Sequence, residues 1–355
     1  MKKMVQNKET WLPVIAGIAI GIAALILGHS GNPGNMGICV ACFWRDIAGG
    51  LGLHSAEVVQ YLRPEIPGFI LGAFIIASIR KESKAVGGSA PLIRFFVSFF
   101  VMIGALVFLG CPLRMILRLA SGDLNAFVGL LGFIVGILGG SFFLKKGFSL
   151  GRAYEQPAIS KFVMPVIAVT LLVFVIIRPA FIRFSQEGPG SMAAPIGIAL
   201  ICGLVIGGLA QQSRLCMAGG IRDVFLIKNY KMLLGYVSIF VVVLIGNLVL
   251  GGFKLGFAEQ PIAHSEHLWN FLGMVLVGLG STLIGGCPLR QTILAGEGNA
   301  DSAIAVLGLV FGAAFAHNFG LASSAAGTTF NGRVAVLIGL VFMLIIAATS
   351  KRRKG

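Results

Sequence analysis

Along the chain, apolar runs of about 17 to 25 residues alternate with short polar segments, the length needed to cross roughly 30 Å of hydrocarbon as a helix. Ten such runs can be read, at 11–29, 64–80, 93–110, 124–144, 162–182, 193–210, 232–252, 267–286, 300–317 and 333–350. Four further stretches, near 36–50, 111–121, 214–228 and 287–297, are too short to cross and too apolar for surface loops. They predict re-entrant half-helices. Non-helical backbone survives at membrane depth only where protein or a water-filled cavity satisfies its polar groups, so four such segments imply an enclosed polar centre. The expected fold class is an all-α polytopic membrane protein with about ten transmembrane helices and four re-entrant half-helices.

Composition supports a bilayer setting. Of 355 residues, 57% are hydrophobic and only 12% charged, with mean hydropathy +0.93; a soluble domain carries about a quarter of its residues charged. The net charge of +15 could suggest nucleic acid, but no basic face with interleaved aromatics is present, and that class is excluded. The cations instead follow the loops. With the N-terminus placed inside, 20 Lys and Arg fall on the cytoplasmic side and 8 on the other. This positive-inside bias predicts both termini in the cytoplasm. Lys2, Lys3 and Lys8 before the first run resemble a signal peptide, but 11–29 is long enough to span and no small-residue cleavage site follows it, so it is read as a retained span.

The chain also repeats itself. Cys39 is followed by Arg45-Asp46, and Cys216 by Arg222-Asp223, at the same spacing; Cys111-Pro112-Leu113-Arg114 recurs as Cys287-Pro288-Leu289-Arg290. Gly132 and Gly136 match Gly308 and Gly312, and Gly17 and Gly21 match Gly203 and Gly207. Residues 1–188 and 189–355 are therefore expected to be duplicated units. With five spans each, an odd number, the copies would cross in opposite directions, the inverted-repeat plan of transporters. Cys39 and Cys111 would then lie on hairpins from outside, Cys216 and Cys287 on hairpins from the cytoplasm.

The six cysteines sit in apolar helical sequence rather than in a small secreted domain, so a disulfide framework is not expected. In Cys-Pro-Leu-Arg, proline suits the first helical position and makes Cys111 or Cys287 the N-cap. A helix start offers free N–H groups and partial positive charge to an anion. Arg114 and Arg290 could add charge-assisted hydrogen bonds to an oxyanion; alternatively they snorkel or cap another helix, and neither motif shows a carboxylate within its half-helix. Arg45-Asp46 and Arg222-Asp223 read mainly as structural clamps, otherwise as charges guiding a substrate at a pore mouth. Cys39, Cys111, Cys216 and Cys287 form the expected substrate relay, because a thiol, a weak donor and weak acceptor, holds a polarisable ion without trapping it. Cys202 reads as packing. Cys42 stands outside the symmetry and makes Cys39 and Cys42 a C-x-x-C pair, the basis of an alternative reading as a membrane thiol-disulfide oxidoreductase. His317 is expected to satisfy a helix end. His264 and His267 sit in an external loop. No metal site, cofactor or P-loop is expected.

At these cysteines and in the duplicated plan, the chain resembles the YeeE/YedE sulfur-transport family over nearly its whole length. The resemblance implies a bacterial inner-membrane transporter, not an enzyme, in which Cys111, Cys216 and Cys287, with Cys39 completing the set, hand thiosulfate inward. A small cytosolic sulfur- or selenium-carrier protein would be a partner at the exit. The stretch Asn32-Pro33-Gly34-Asn35-Met36-Gly37-Ile38-Cys39-Val40-Ala41-Cys42-Phe43-Trp44-Arg45-Asp46, with Gln60-Tyr61-Leu62-Arg63-Pro64-Glu65, looks more like the branch associated with selenium metabolism. A selenium anion is accordingly the first expected substrate and a sulfur oxyanion the second.

Overall fold

Helices form where the apolar runs predict them. The computed structural model describes residues 2–350, with side chains from residue 11. Its helices are α1 (Lys2–His29), α2 (Val40–Gly50), α3 (Glu65–Ile79), α4 (Pro91–Phe108), α5 (Pro112–Ala120), α6 (Leu124–Lys145) and α7 (Val163–Ile177), then α8 (Ile196–Ser213), α9 (Met217–Ile227), α10 (Lys231–Val249), α11 (His267–Leu283), α12 (Pro288–Glu297), α13 (Ala300–Asn318) and α14 (Phe330–Thr349). Among the described residues, nine helical segments are long and apolar enough to cross a membrane. The tenth expected span is α3, whose 15 residues reach only about 22 Å. The protein is an all-α polytopic membrane protein. The two-residue ribbon pairing Val86–Gly87 with Tyr154–Glu155 is a loop clasp. The basic residues 351–354, and the side chains of Lys2, Lys3 and Lys8, lie outside the described part.

The four short apolar stretches become α2, α5, α9 and α12; α2, α5 and α12 are almost wholly buried, and α9 is buried over Met217–Ile221 and exposed at Phe225 and Ile227. Around them the long helices pack in cross-linked pairs: α1 on α10 and α3 on α8, α4 on α13 and α6 on α11. Glycine lets these backbones touch, since without a hydrophobic drive between helices in lipid, close van der Waals approach supplies the association. A Cβ on Gly136 would lie 2.2 Å from the Val275 carbonyl oxygen, and one on Gly312 2.6 Å from that of Phe99. The glycines matched in sequence thus occupy matched contacts, Gly136 in α6 against α11 and Gly312 in α13 against α4.

Polarity is inverted relative to a soluble protein. Ile15, Ile18, Ile22 and Ile26 of α1 are all exposed, as are Val166, Val169 and Val173 of α7, in positions that suit lipid. Arg45, Arg63, Arg114, Arg118, Asp46 and Asp123 are all buried inside. Four of the eight cations assigned to the outer side are therefore interior groups rather than loop charges. An uncompensated charge at membrane depth is costly, and most of these are met by ion pairs. Asp46 receives Arg45 at 2.6 Å and Arg63 at 2.7 Å, and Asp123 receives Arg118 at 2.7 Å.

Candidate functional site

Cysteine begins each of the four short helices. Cys39 and Cys216 are N-caps in extended conformation whose sulfurs accept the N–H of Cys42 and Gly219, both at 3.3 Å. A polarisable sulfur here does what a serine hydroxyl does in the usual cap. Cys111 and Cys287 are N-caps of a second kind, each followed by proline at the first helical position, as the Cys-Pro-Leu-Arg motif predicts. The equivalence of Cys42 and Gly219 read from the sequence is also seen, since their N–H groups make the same capping bond.

Tertiary packing then brings the caps together in pairs. The starts of α2 and α5 approach one another, so that the Cys39 and Cys111 side chains are near neighbours. The starts of α9 and α12 meet likewise, with the Cys216 and Cys287 sulfurs 4.0 Å apart. Backbone N–H groups of Arg114 and Ala41 face the Cys111 sulfur, and those of Arg290 and Met217 face Cys287. Each pair thus sits where two helix starts converge, a field that favours an anion. All six cysteines are free and buried, and Cys202 packs within α8 as expected.

The two arginines of the repeated motif differ. Arg114 is fully buried and donates to the carbonyls of Asn35 at 3.0 Å, Leu109 at 2.5 Å and Ile262 at 3.2 Å, with the Cys42 sulfur 3.7 Å from Nη1. Carbonyls hold the guanidinium in place while leaving its charge uncancelled. Arg290 instead pairs with Glu297 at 3.1 Å. This corrects the sequence reading that neither motif has a carboxylate in its half-helix: Glu297 is the last residue of α12, and two helical turns bring it back over Arg290. Glu297 also meets Arg214, which reaches Glu82 in turn. The Glu82 carboxyl lies below its ordinary range because Gln211 hydrogen-bonds it, helped by Arg80 and Arg214.

The position of Glu297 in the first half of the motif is held by Ser121, ten residues after Cys111. Ser121 lines a partly polar cavity of about 310 Å³ together with His29, Asn35 and Asn247. One end of the assembly therefore presents an uncancelled cation beside a polar recess, and the other a cation neutralised by carboxylate.

The clamp reading of the Arg-Asp pairs fits their geometry, although the first is larger than the sequence suggested. Arg45 and Arg63 close on Asp46, and Arg63 goes on to the carbonyls of Met192 at 2.9 Å and Pro189 at 2.7 Å, tying α2 to the connection before α8. Arg222 pairs with Asp223 at 2.8 Å, and both are partly exposed. His317 departs from expectation: its Nε2 has no partner, and the ring stacks on His54 with centroids 4.7 Å apart instead of satisfying a helix end. His54 bonds the Arg45 carbonyl at 3.1 Å, and burial holds its imidazole below the ordinary value. His264 is buried against the Val107 carbonyl at 2.7 Å. Among the described residues no His, Cys, Asp and Glu group could hold a metal. Sequence reasoning missed Arg118 with Asp123, whose charges five residues apart were a usable signal, and Tyr236, which gave none.

Residues 212–350 match the sulphur transport family. Over 107 residues the chain is 33% identical to the thiosulfate transporter TsuA of Escherichia coli (strain K12), covering 30% of this chain and 30% of that protein. The matched family segment contains α9 and α12 with Cys216 and Cys287.

Proposed function

We propose that this protein is a multi-pass inner-membrane transporter that moves a small sulfur- or selenium-containing anion inward through the four cysteine-capped helix starts. The carrying observation is the convergence of Cys39 with Cys111 and of Cys216 with Cys287, each pair free, buried and set at two helix N-termini. In this reading α1–α7 and α8–α14 are the two inverted repeats, divided near residue 188, and the short helices are re-entrant. Their matched glycine contacts and cysteine caps support the duplication. The anion is drawn to the recess beside Arg114, rests between helix starts on weak thiol hydrogen bonds, and is released where Glu297 cancels Arg290. Attraction outside and neutralisation inside give the route its polarity. Both termini are cytoplasmic in this arrangement, and a small carrier protein receives the anion there.

The likeness to a thiosulfate transporter supports the sulfur arm; the selenium arm rests on the Asn32 to Asp46 stretch. Both chemistries offer what the site fits, a small anion with a large polarisable atom and hydrogen-bond-accepting oxygens. Radiolabelled thiosulfate and selenite uptake into proteoliposomes, each competed with the other, separates them. We expect saturable uptake of at least one, inhibited by the second; no uptake of either above protein-free vesicles would overturn the proposal.

A second reading has one observation in its favour: the Cys39 and Cys42 sulfurs lie 2.9 Å apart. In a membrane thiol-disulfide oxidoreductase this dithiol would pass two electrons to a disulfide substrate, forming the Cys39–Cys42 disulfide and two product thiols. Cys39→Ala would then leave Cys42 caught in a mixed disulfide. With the transporter reading, we expect non-reducing electrophoresis of that variant from cells to show no such adduct.

A further inference from the structure

Tyr236 lies in α10, buried, and its hydroxyl is without a hydrogen-bond partner. Buried polar groups are nearly always paired, and an unmet one costs about 1–3 kcal/mol, so such an exception calls for a physical account. α10 packs against α5 and α9, the helices that Cys111 and Cys216 begin, so the phenol lies beside Met217 and within electrostatic reach of Cys111, Cys216 and Cys287. It is therefore near members of both thiol pairs. Tyr236 and Met217 also line a cavity of about 380 Å³ whose remaining walls are apolar side chains of α5, α6, α9 and α10.

Helix packing shows that the oxygen is not required by the fold. A Cβ on Gly17 of α1 would strike the Gly235 carbonyl, and a Cβ on Gly203 of α8 would strike the Glu65 carbonyl in α3. Gly235 and Glu65 are thus equivalent contacts, and the residues that follow them are Tyr236 and Ile66. Ile66 is fully buried, and the same packing position is filled there without any polar atom. The phenol oxygen is an addition to one half only.

We propose that the Tyr236 hydroxyl is a substrate-binding donor that hydrogen-bonds the oxyanion as it passes from Cys111 to Cys216 and Cys287. This rests on the transport reading. An oxyanion supplies the strong acceptor that thiols, which accept weakly, do not. Between ions the donor is unmet, and that keeps the site from closing on itself. The hydroxyl also favours oxygen-bearing anions over hydrosulfide or hydroselenide, which accept weakly through sulfur or selenium.

Tyr236→Phe removes one oxygen and keeps the buried ring. We expect the variant to elute as wild type in detergent, with a thermal unfolding midpoint unchanged or raised, while thiosulfate uptake falls at least tenfold. A binding measurement stands apart from transport: thiosulfate added to the solubilised wild type should perturb the tyrosine ultraviolet band, and the perturbation should vanish in Tyr236→Phe. Wild-type uptake with an unchanged rate in the folded variant would overturn the role of the hydroxyl alone. Absence of uptake by wild type would overturn the transport reading, whereas a tyrosine perturbation surviving in Tyr236→Phe would place the ion elsewhere.

Discussion

Cys287→Ala and Cys111→Ala should each reduce uptake of the transported anion at least tenfold, while Cys202→Ala leaves it near wild type. The expected loss follows from position. Cys111 and Cys287 are 1% exposed, each begins a short helix, and each faces a second cysteine from another helix start. Removing one sulfur takes away both a weak donor for the ion and one stepping point, and tenfold corresponds to about 1.4 kcal/mol, close to the low end for a hydrogen bond to a charged group. Folding should survive. Proline at the next position, and not the cysteine side chain, starts these two helices, and loss of one small buried atom leaves only a minor cavity. Initial rates in proteoliposomes, normalised to reconstituted protein, provide the check; full uptake by both variants would remove the relay.

Asp46→Asn should be the most damaging substitution for stability, at about 3–5 kcal/mol, because it strips the compensation from two buried guanidinium groups at once. Asp46 is wholly buried, its two oxygens receive Arg45 and Arg63 respectively, and Asn retains the shape without the charge. Arg63 also bonds the connection before α8, so the loss should loosen the join between the two halves of the chain. Arg222 and Asp223, partly exposed and without a second arginine among the described residues, make the contrasting pair. Asp223→Asn should cost under about 1 kcal/mol, as partly solvated ion pairs do. Thermal unfolding in detergent tests the contrast. Equal midpoints for the two variants would show that the Asp46 cluster is solvated, and the clamp reading would fail.

Much of this organisation was legible before any coordinates. The four short stretches became α2, α5, α9 and α12 within a few residues, because hydropathy sets what a bilayer admits and Pro112 and Pro288 set where a helix starts. Gly136 and Gly312 were legible as a matched pair, and the structure gives them the same task. Arg290 was misread because pairing with Glu297 depends on which face of α12 both residues share and on Arg214 approaching from α8. His317 was misread because its partner, His54, is more than two hundred residues away in sequence and reaches it only after α2 packs on α13.

The residue order by itself determined the helices, their caps and the doubling of the motif, since each depends on interactions within a turn or two of chain. Tertiary structure alone decided that Cys216 meets Cys287 across 71 positions, that Trp44 bonds Thr292 across 248, and that the Tyr236 hydroxyl is buried with no partner. Such contacts depend on the direction and rotation of whole helices, which close glycine packing sets in three dimensions and which no local spacing encodes.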